Sequence, residues 1–291
     1  MTKLIPLSDG DKIAIEVTTP ENWQPTDRTI IMVHGLCGSH RSSYLVRMTK
    51  RLSAIGIRCI RYNMRGCGSG KGHAKRIFHS GRSEDLLEVL QALKKEHPDS
   101  PYTVMGFSLG GNIVLKLAGE LGHDAVGYVE QFIAVSPPAD LFISVQFLNA
   151  TANRFYERYF LRLLKNNVQM REELFPDIPK SDLPNALTIY QFDELYTAPQ
   201  CGFKSALEYY EKCSSKPLIP NIKVPCRILF SEDDPLICSS TLDDLELPKN
   251  VHLFKSKKGG HMGFLATPWK TSDFHWMDQL LESWIVDPEI K

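Results

Sequence analysis

The chain lacks a surplus of charge of either sign: 34 Lys and Arg residues balance 34 Asp and Glu residues. No chain-wide field therefore draws it to nucleic acid or to an anionic membrane, and no nucleic-acid partner is expected. It also lacks any uninterrupted apolar run of about 18 residues, the length a spanning helix needs, so no transmembrane segment is expected. Seven cysteines, Cys37, Cys59, Cys67, Cys201, Cys213, Cys226 and Cys238, form no CxxC pair and no metal-like Cys/His spacing, and HExxH is absent. Neither a metal nor another cofactor is expected, and a reducing cytoplasm is the expected compartment. The opening MTKLIPLSDGDKIAIEV has neither an apolar signal core nor an Arg- and Ser-rich presequence, and it reads as mature protein. Repeats and low-complexity tracts are missing too.

What the sequence does hold is an alternation of short apolar runs with helical stretches. TIIMVHG (29–35) precedes SYLVRMTKRLSAIG (43–56), and IRCIRYNMRG (57–66) precedes SEDLLEVLQALKKEH (83–97). The second helix opens on Glu84 and Asp85 and closes on Lys94, Lys95 and His97, matching the helix dipole at both ends. YTVMGFS (102–108) runs straight into LGGNIVLKLAGELG, apolar all round as in a buried helix. QFIAVS, CRILFS and VHLFKS complete the series of strands.

Strands apolar on both faces, alternating with helices, predict an α/β fold with a mostly parallel sheet covered by helices. KLIPLSDGDKIAIEVT predicts an antiparallel edge hairpin turning at SDGD, and a last helix is expected from Pro268. The region from Pro138 to Pro225 breaks the rhythm, with helical sequence and no convincing strand. Its part 141–210 holds 13 of the chain's 14 Phe plus 10 Tyr. The expected organisation is a core over 1–138, a helical insertion over 139–222, and the rest of the core over 223–291. The insertion is aromatic, and no basic cluster is evident in it.

The segment GFSLGGN (106–112) carries the chemistry. A strand that reverses into a helix within about one residue strains the central position, and glycines two residues away on either side remove the side chains that would collide. Ser108 is thereby presented at the tip, beyond the carboxyl end of a parallel strand, where ligands bind in such sheets. A serine hydroxyl needs a base to take its proton and a third group to orient that base. FSEDDPLI supplies the adjacent carboxylates Asp233 and Asp234 just after one strand, and KKGGHMGF supplies His261 just after the next. His252 and His275 are read inside regular elements and set aside. The oxyanion donors expected are the N–H of Leu109, at a helix N-terminus, and the N–H of Leu36 in HGLCGSHRSSY, with Cys37 the neighbouring candidate. Cys37 has no base beside it in sequence and is not read as a nucleophile.

HGLCGS, RGCGSG, HSGRSED, GFSLGGN, SEDDPL and GGHMGF, in that order from 34 to 264, resemble the YheT-like branch of the α/β-hydrolase superfamily. That branch lies near the ABHD medium-chain esterases and the yeast ethanol acyltransferases. The resemblance implies the α/β-hydrolase fold with a helical lid and a Ser108, Asp234, His261 triad. It also implies cleavage of carboxylic esters of short to medium acyl chain without a cofactor. The spacing common in the superfamily, a small residue, two variable positions and then the acid, runs from Ser231 to Asp234 and leaves Asp233 to cap a turn. Arg65 and His79 match the branch pattern and are read as braces. Members of the eukaryotic branch often carry a membrane anchor ahead of the core, and none is expected here. The expected partner is an uncharged, modestly apolar small-molecule ester. Two alternatives remain: an acyltransferase passing the acyl group to an alcohol, and a non-catalytic ligand-binding homologue, which predicts a damaged triad position.

Overall fold

The computed structural model describes residues 1–266 and 274–288. Eight strands form one sheet in the order β1-β2-β4-β3-β5-β6-β7-β8. They are β1 (Thr2–Pro6), β2 (Lys12–Thr18), β3 (Thr29–Val33), β4 (Arg58–Tyr62), β5 (Tyr102–Phe107), β6 (Gln131–Val135), β7 (Cys226–Ser231) and β8 (Val251–Ser256). The expected hairpin is present: β1 pairs antiparallel with β2, and β2 with β4, while every other pair is parallel. The two-residue pleat sorts each central strand between two cores. Ile31, Val33, Val104, Phe132 and Ile228 face one side with Leu86, Val89 and Ile113 from α2 (Ser83–Glu96) and α3 (Leu109–Leu121). Ile30, Met32, Met105, Ile133 and Leu229 face the other with Leu45 and Met48 from α1 (Ser43–Ala54) and Leu281 from α9 (Trp276–Val286). Burial on both faces is why these strands read as continuous apolar runs rather than alternating ones.

Between β6 and β7 the described chain is helical, as expected. It holds α4 (Leu141–Asn149), α5 (Arg154–Leu174), α6 (Ile189–Phe192), a π-helical turn (Asp193–Thr197), α7 (Ala198–Gln200) and α8 (Ala206–Cys213). Its aromatics form their own small cores, Phe192 and Tyr196 with α5, and Tyr209 and Tyr210 with Leu141. Two expectations change. Pro268 lies outside the described residues, and Phe274 and His275 are not helical. His275 bridges Leu265 in antiparallel fashion, with Ala266 N–H donating to Phe274 C=O at 2.8 Å, so the helix begins only at Trp276. The insertion also has a basic face: Arg154, Arg158 and Arg162 are all exposed on α5, because residues four apart in sequence lie one above another on a helix. Among the described residues, no helix is long and apolar enough to cross a membrane.

Candidate active site

Ser108 stands between β5 and α3 with φ +51°, a region L-residues rarely occupy, at a cost of about 1–3 kcal/mol. Neighbouring backbone holds it there. Ser108 N–H donates to Val135 C=O at 2.8 Å, and its own carbonyl accepts from the N–H groups of Gly111 and Asn112 at 2.7 and 3.2 Å. The two flanking glycines are required by close approach. A Cβ on Gly106 would lie 2.1 Å from the Gly110 carbonyl oxygen, and one on Gly110 would lie 2.5 Å from that of His34. Only bare backbone lets strand, turn and helix come this close.

The expected acid and base, Asp234 and His261, follow β7 and β8. His261 Nδ1–H donates to Asp234 Oδ2 at 2.8 Å, which leaves Nε2 as its free nitrogen. Asp234 is buried, and its other oxygen accepts the N–H groups of Leu236 and Ile237 at 2.8 and 3.1 Å. The adjacent Asp233 points elsewhere. Its Oδ1 takes the Ser231 hydroxyl and the N–H groups of Gly259 and Gly260, both at 2.8 Å. These bonds hold its carboxyl below the usual range, the Ser231 hydroxyl foremost, and they fasten the turn that carries His261.

The loop after β3 is held by buried polar contacts. Gly35 N–H donates to Tyr44 Oη at 2.9 Å. His34 spans two loops, with Nδ1–H donating to Gly35 C=O at 2.8 Å and Nε2 accepting Met64 N–H at 3.1 Å. That pattern needs a neutral ring, and burial brings its pKa down to about 4. Cys37 has φ +55°, and burial pushes its thiol up to about 12, far from a nucleophilic thiolate. Leu36, Leu109, Ser108 and His261 all line one cavity between the sheet and the helical insertion, with Asp234 behind the histidine. Phe160, Leu164, Phe192 and Ile237 supply apolar wall.

Arg65 and His79 also line this cavity, and the Arg65 guanidinium and the His79 Nδ1 are engaged in the scaffold. The buried Arg65 guanidinium makes two 2.6 Å bonds to Asp85 and pairs with Asp11 at 2.6 Å and Asp9 at 2.7 Å, tying the β1–β2 turn to α2. His79 Nδ1 accepts Gly81 N–H at 3.1 Å, and burial, with the cations Arg82, Lys116 and Arg65 adding to it, lowers its pKa to about 3.

Several residues at the site escape a reading of local motifs. Ser136, fully buried at φ +46°, donates its hydroxyl to His261 C=O at 2.8 Å. Asn112 donates to Ser80 C=O and Cys213 C=O and accepts Ser215 N–H, joining α3 to the loop of His79 and the end of α8. Asp193, in the π turn, lines the cavity and accepts the hydroxyls of Thr197 at 2.6 Å and Tyr210 at 2.8 Å. Burial raises its pKa to about 6. Each acts through a group distant in sequence, so no spacing rule marks it. Among the described residues, no group of three or more His, Cys, Asp or Glu side chains could hold a metal.

A family model described as the alpha/beta hydrolase fold matches residues 28–268. The chain is 30% identical over 284 residues to a putative esterase, YheT, of Escherichia coli, covering 96% of this chain and 82% of that one. It is 31% identical over 245 residues to a monoacylglycerol lipase of Saccharomyces cerevisiae, covering 81% of this chain and 54% of the other. Among solved structures, Est1E from Butyrivibrio proteoclasticus with ferulic acid bound is similar in fold, with a TM-score of 0.62 at 16% identity over 97% of this chain and 96% of that one.

Proposed function

The chain belongs to the α/β-hydrolase family, and from that premise we propose that it is a carboxylic ester hydrolase working through an acyl-enzyme on Ser108. The observation that carries the reading is the line from buried Asp234 to His261, whose free Nε2 belongs to a ring in the same cavity as the strained Ser108. Asp234 accepts the Nδ1 proton, which fixes the tautomer and leaves Nε2 as base. His261 takes the hydroxyl proton as Ser108 attacks the ester carbonyl. The N–H groups of Leu109 and Leu36 receive the developing oxyanion, aided by the N-terminal dipole of α3. His261 then protonates the leaving alcohol, and water activated by the same ring releases the acid. The helices over 139–222 act as a lid on this cavity, and their apolar wall selects an uncharged ester of short to medium acyl chain.

The test combines two measurements on the whole chain. A fluorophosphonate probe should label Ser108, and Ser108→Ala should abolish both labelling and hydrolysis of p-nitrophenyl esters. Across esters from acetate to palmitate, kcat/KM should peak at short to medium length; a steady rise to palmitate contradicts the chain-length assignment. An unlabelled Ser108 overturns the mechanism itself.

A further inference from the structure

The first half of α5 separates its residues by chemistry. At roughly 100° per residue, Arg154, Phe155, Arg158, Tyr159 and Arg162 fall within roughly 140° of arc. All five are exposed, Phe155 at 78% and Tyr159 at 45%, with the half-exposed Tyr156 against the Phe155 ring. The acid in this stretch, Glu157, is turned inward, where it accepts Ile189 N–H at 3.0 Å. Lys165 is spent on the carbonyls of Pro184 and Asn185. Arg162 lies over the Tyr159 ring at 5.6 Å, and no carboxylate among the described residues pairs with Arg154, Arg158 or Arg162. In a chain whose charges balance overall, this arc of the first half of α5 carries only cations and aromatic rings, and the acids on the same arc, Glu172 and Glu173, lie at the far end of the helix. The same helix lines the cavity with Phe160, Leu164 and Val168.

From this arrangement we propose that the outward face of the first half of α5, residues 154–162, docks on an anionic lipid surface. Arginines meet the headgroup charge while Phe155, Tyr156 and Tyr159 enter the headgroup–acyl boundary, as in helices that lie in a membrane interface. The charge complementarity commits the surface to lipid: its cations have no carboxylate partner among the described residues, and none of its five residues lines a pocket that could seat a peptide side chain. Docking sets the cavity wall against the lipid phase from which an apolar ester partitions. The surface is independent of the ester-hydrolase reading, since binding needs no turnover.

The test is sedimentation of the full chain with phosphatidylcholine vesicles, with and without phosphatidylglycerol. The chain should pellet with the mixed vesicles, weakly with the neutral ones, and less as salt rises. Phe155→Ser with Tyr159→Ser, and separately Arg154→Gln with Arg158→Gln, should each lower the partition coefficient about tenfold or more. Turnover of p-nitrophenyl butyrate and the thermal midpoint should stay unchanged in both variants, which separates docking from folding and from catalysis. No binding to anionic vesicles overturns the proposal. So does binding that neither variant weakens, or a dimer in solution that the same substitutions dissolve, which would assign the face to a second copy.

Discussion

Replacing Asp234 by Asn and Asp233 by Asn should give opposite results, because the two carboxylates use their oxygens differently. Asp234 employs both: Oδ1 takes Leu236 and Ile237 N–H, and Oδ2 takes His261 Nδ1–H. An amide has one acceptor, so its NH2 must face either two backbone donors or the imidazole. The backbone donors are the less able to move, so the NH2 turns to His261, forces the proton to Nε2 and removes the base. Loss of the correct tautomer in a triad costs about 10⁴-fold in kcat, or about 5.5 kcal/mol of transition-state stabilisation. Asp233 places all three of its bonds on Oδ1, and the Asn oxygen can accept every one. Only charge assistance is lost, and kcat should fall less than about tenfold. Initial rates on p-nitrophenyl butyrate, with the thermal midpoint of each variant to confirm folding, decide the matter. A folded Asp234→Asn enzyme with near wild-type kcat, or an inactive Asp233→Asn one, would refute the reasoning.

Two further outcomes follow from groups that act at a distance. Ser136→Ala removes the hydroxyl that holds the His261 carbonyl; kcat on the same ester should drop about five- to tenfold with KM within about twofold, since one buried bond of about 1 kcal/mol positions the base and not the substrate. A KM effect with unchanged kcat would remove Ser136 from the role of positioning residue. Acid should destabilise the fold. His34 and His79 stay neutral when folded, with pKa values near 4 and 3, but gain protons below about 6.5 when unfolded, so stability falls as pH drops through that window. Between pH 7 and pH 5 each loses about 2 kcal/mol, while buried Asp193, raised to about 6, returns about 1 kcal/mol by taking up its proton, for a net loss of about 2–3 kcal/mol. Urea unfolding at both pH values measures it, and Asp193→Asn should steepen the loss; an unchanged slope would refute that assignment.

Much of this is legible in the order of residues. Runs such as TIIMV, YTVMGF and CRILFS could be buried only in a sheet covered on both faces, and the helices between them made parallel pairing the simplest solution. The Gly106, Ser108, Gly110 spacing announced a turn too tight for side chains, a constraint local to seven residues. The choice between Asp233 and Asp234 lay at the limit of such reading, since adjacent residues share one sequence context and differ only in where their side chains point.

By itself, then, the order of residues determined the sheet, the elbow at Ser108 and the chain segments that could supply its partners, because strand burial, turn sterics and helix capping act over a few neighbours. Only tertiary structure decided which oxygen meets His261, that Ser136 braces a loop remote in sequence, that Asp193 enters the cavity wall, and that the arginines of α5 gather outside while Glu157 turns in. Those outcomes depend on how whole elements pack, and packing joins residues by shape and hydrogen-bond demand, for which distance along the chain carries no signal.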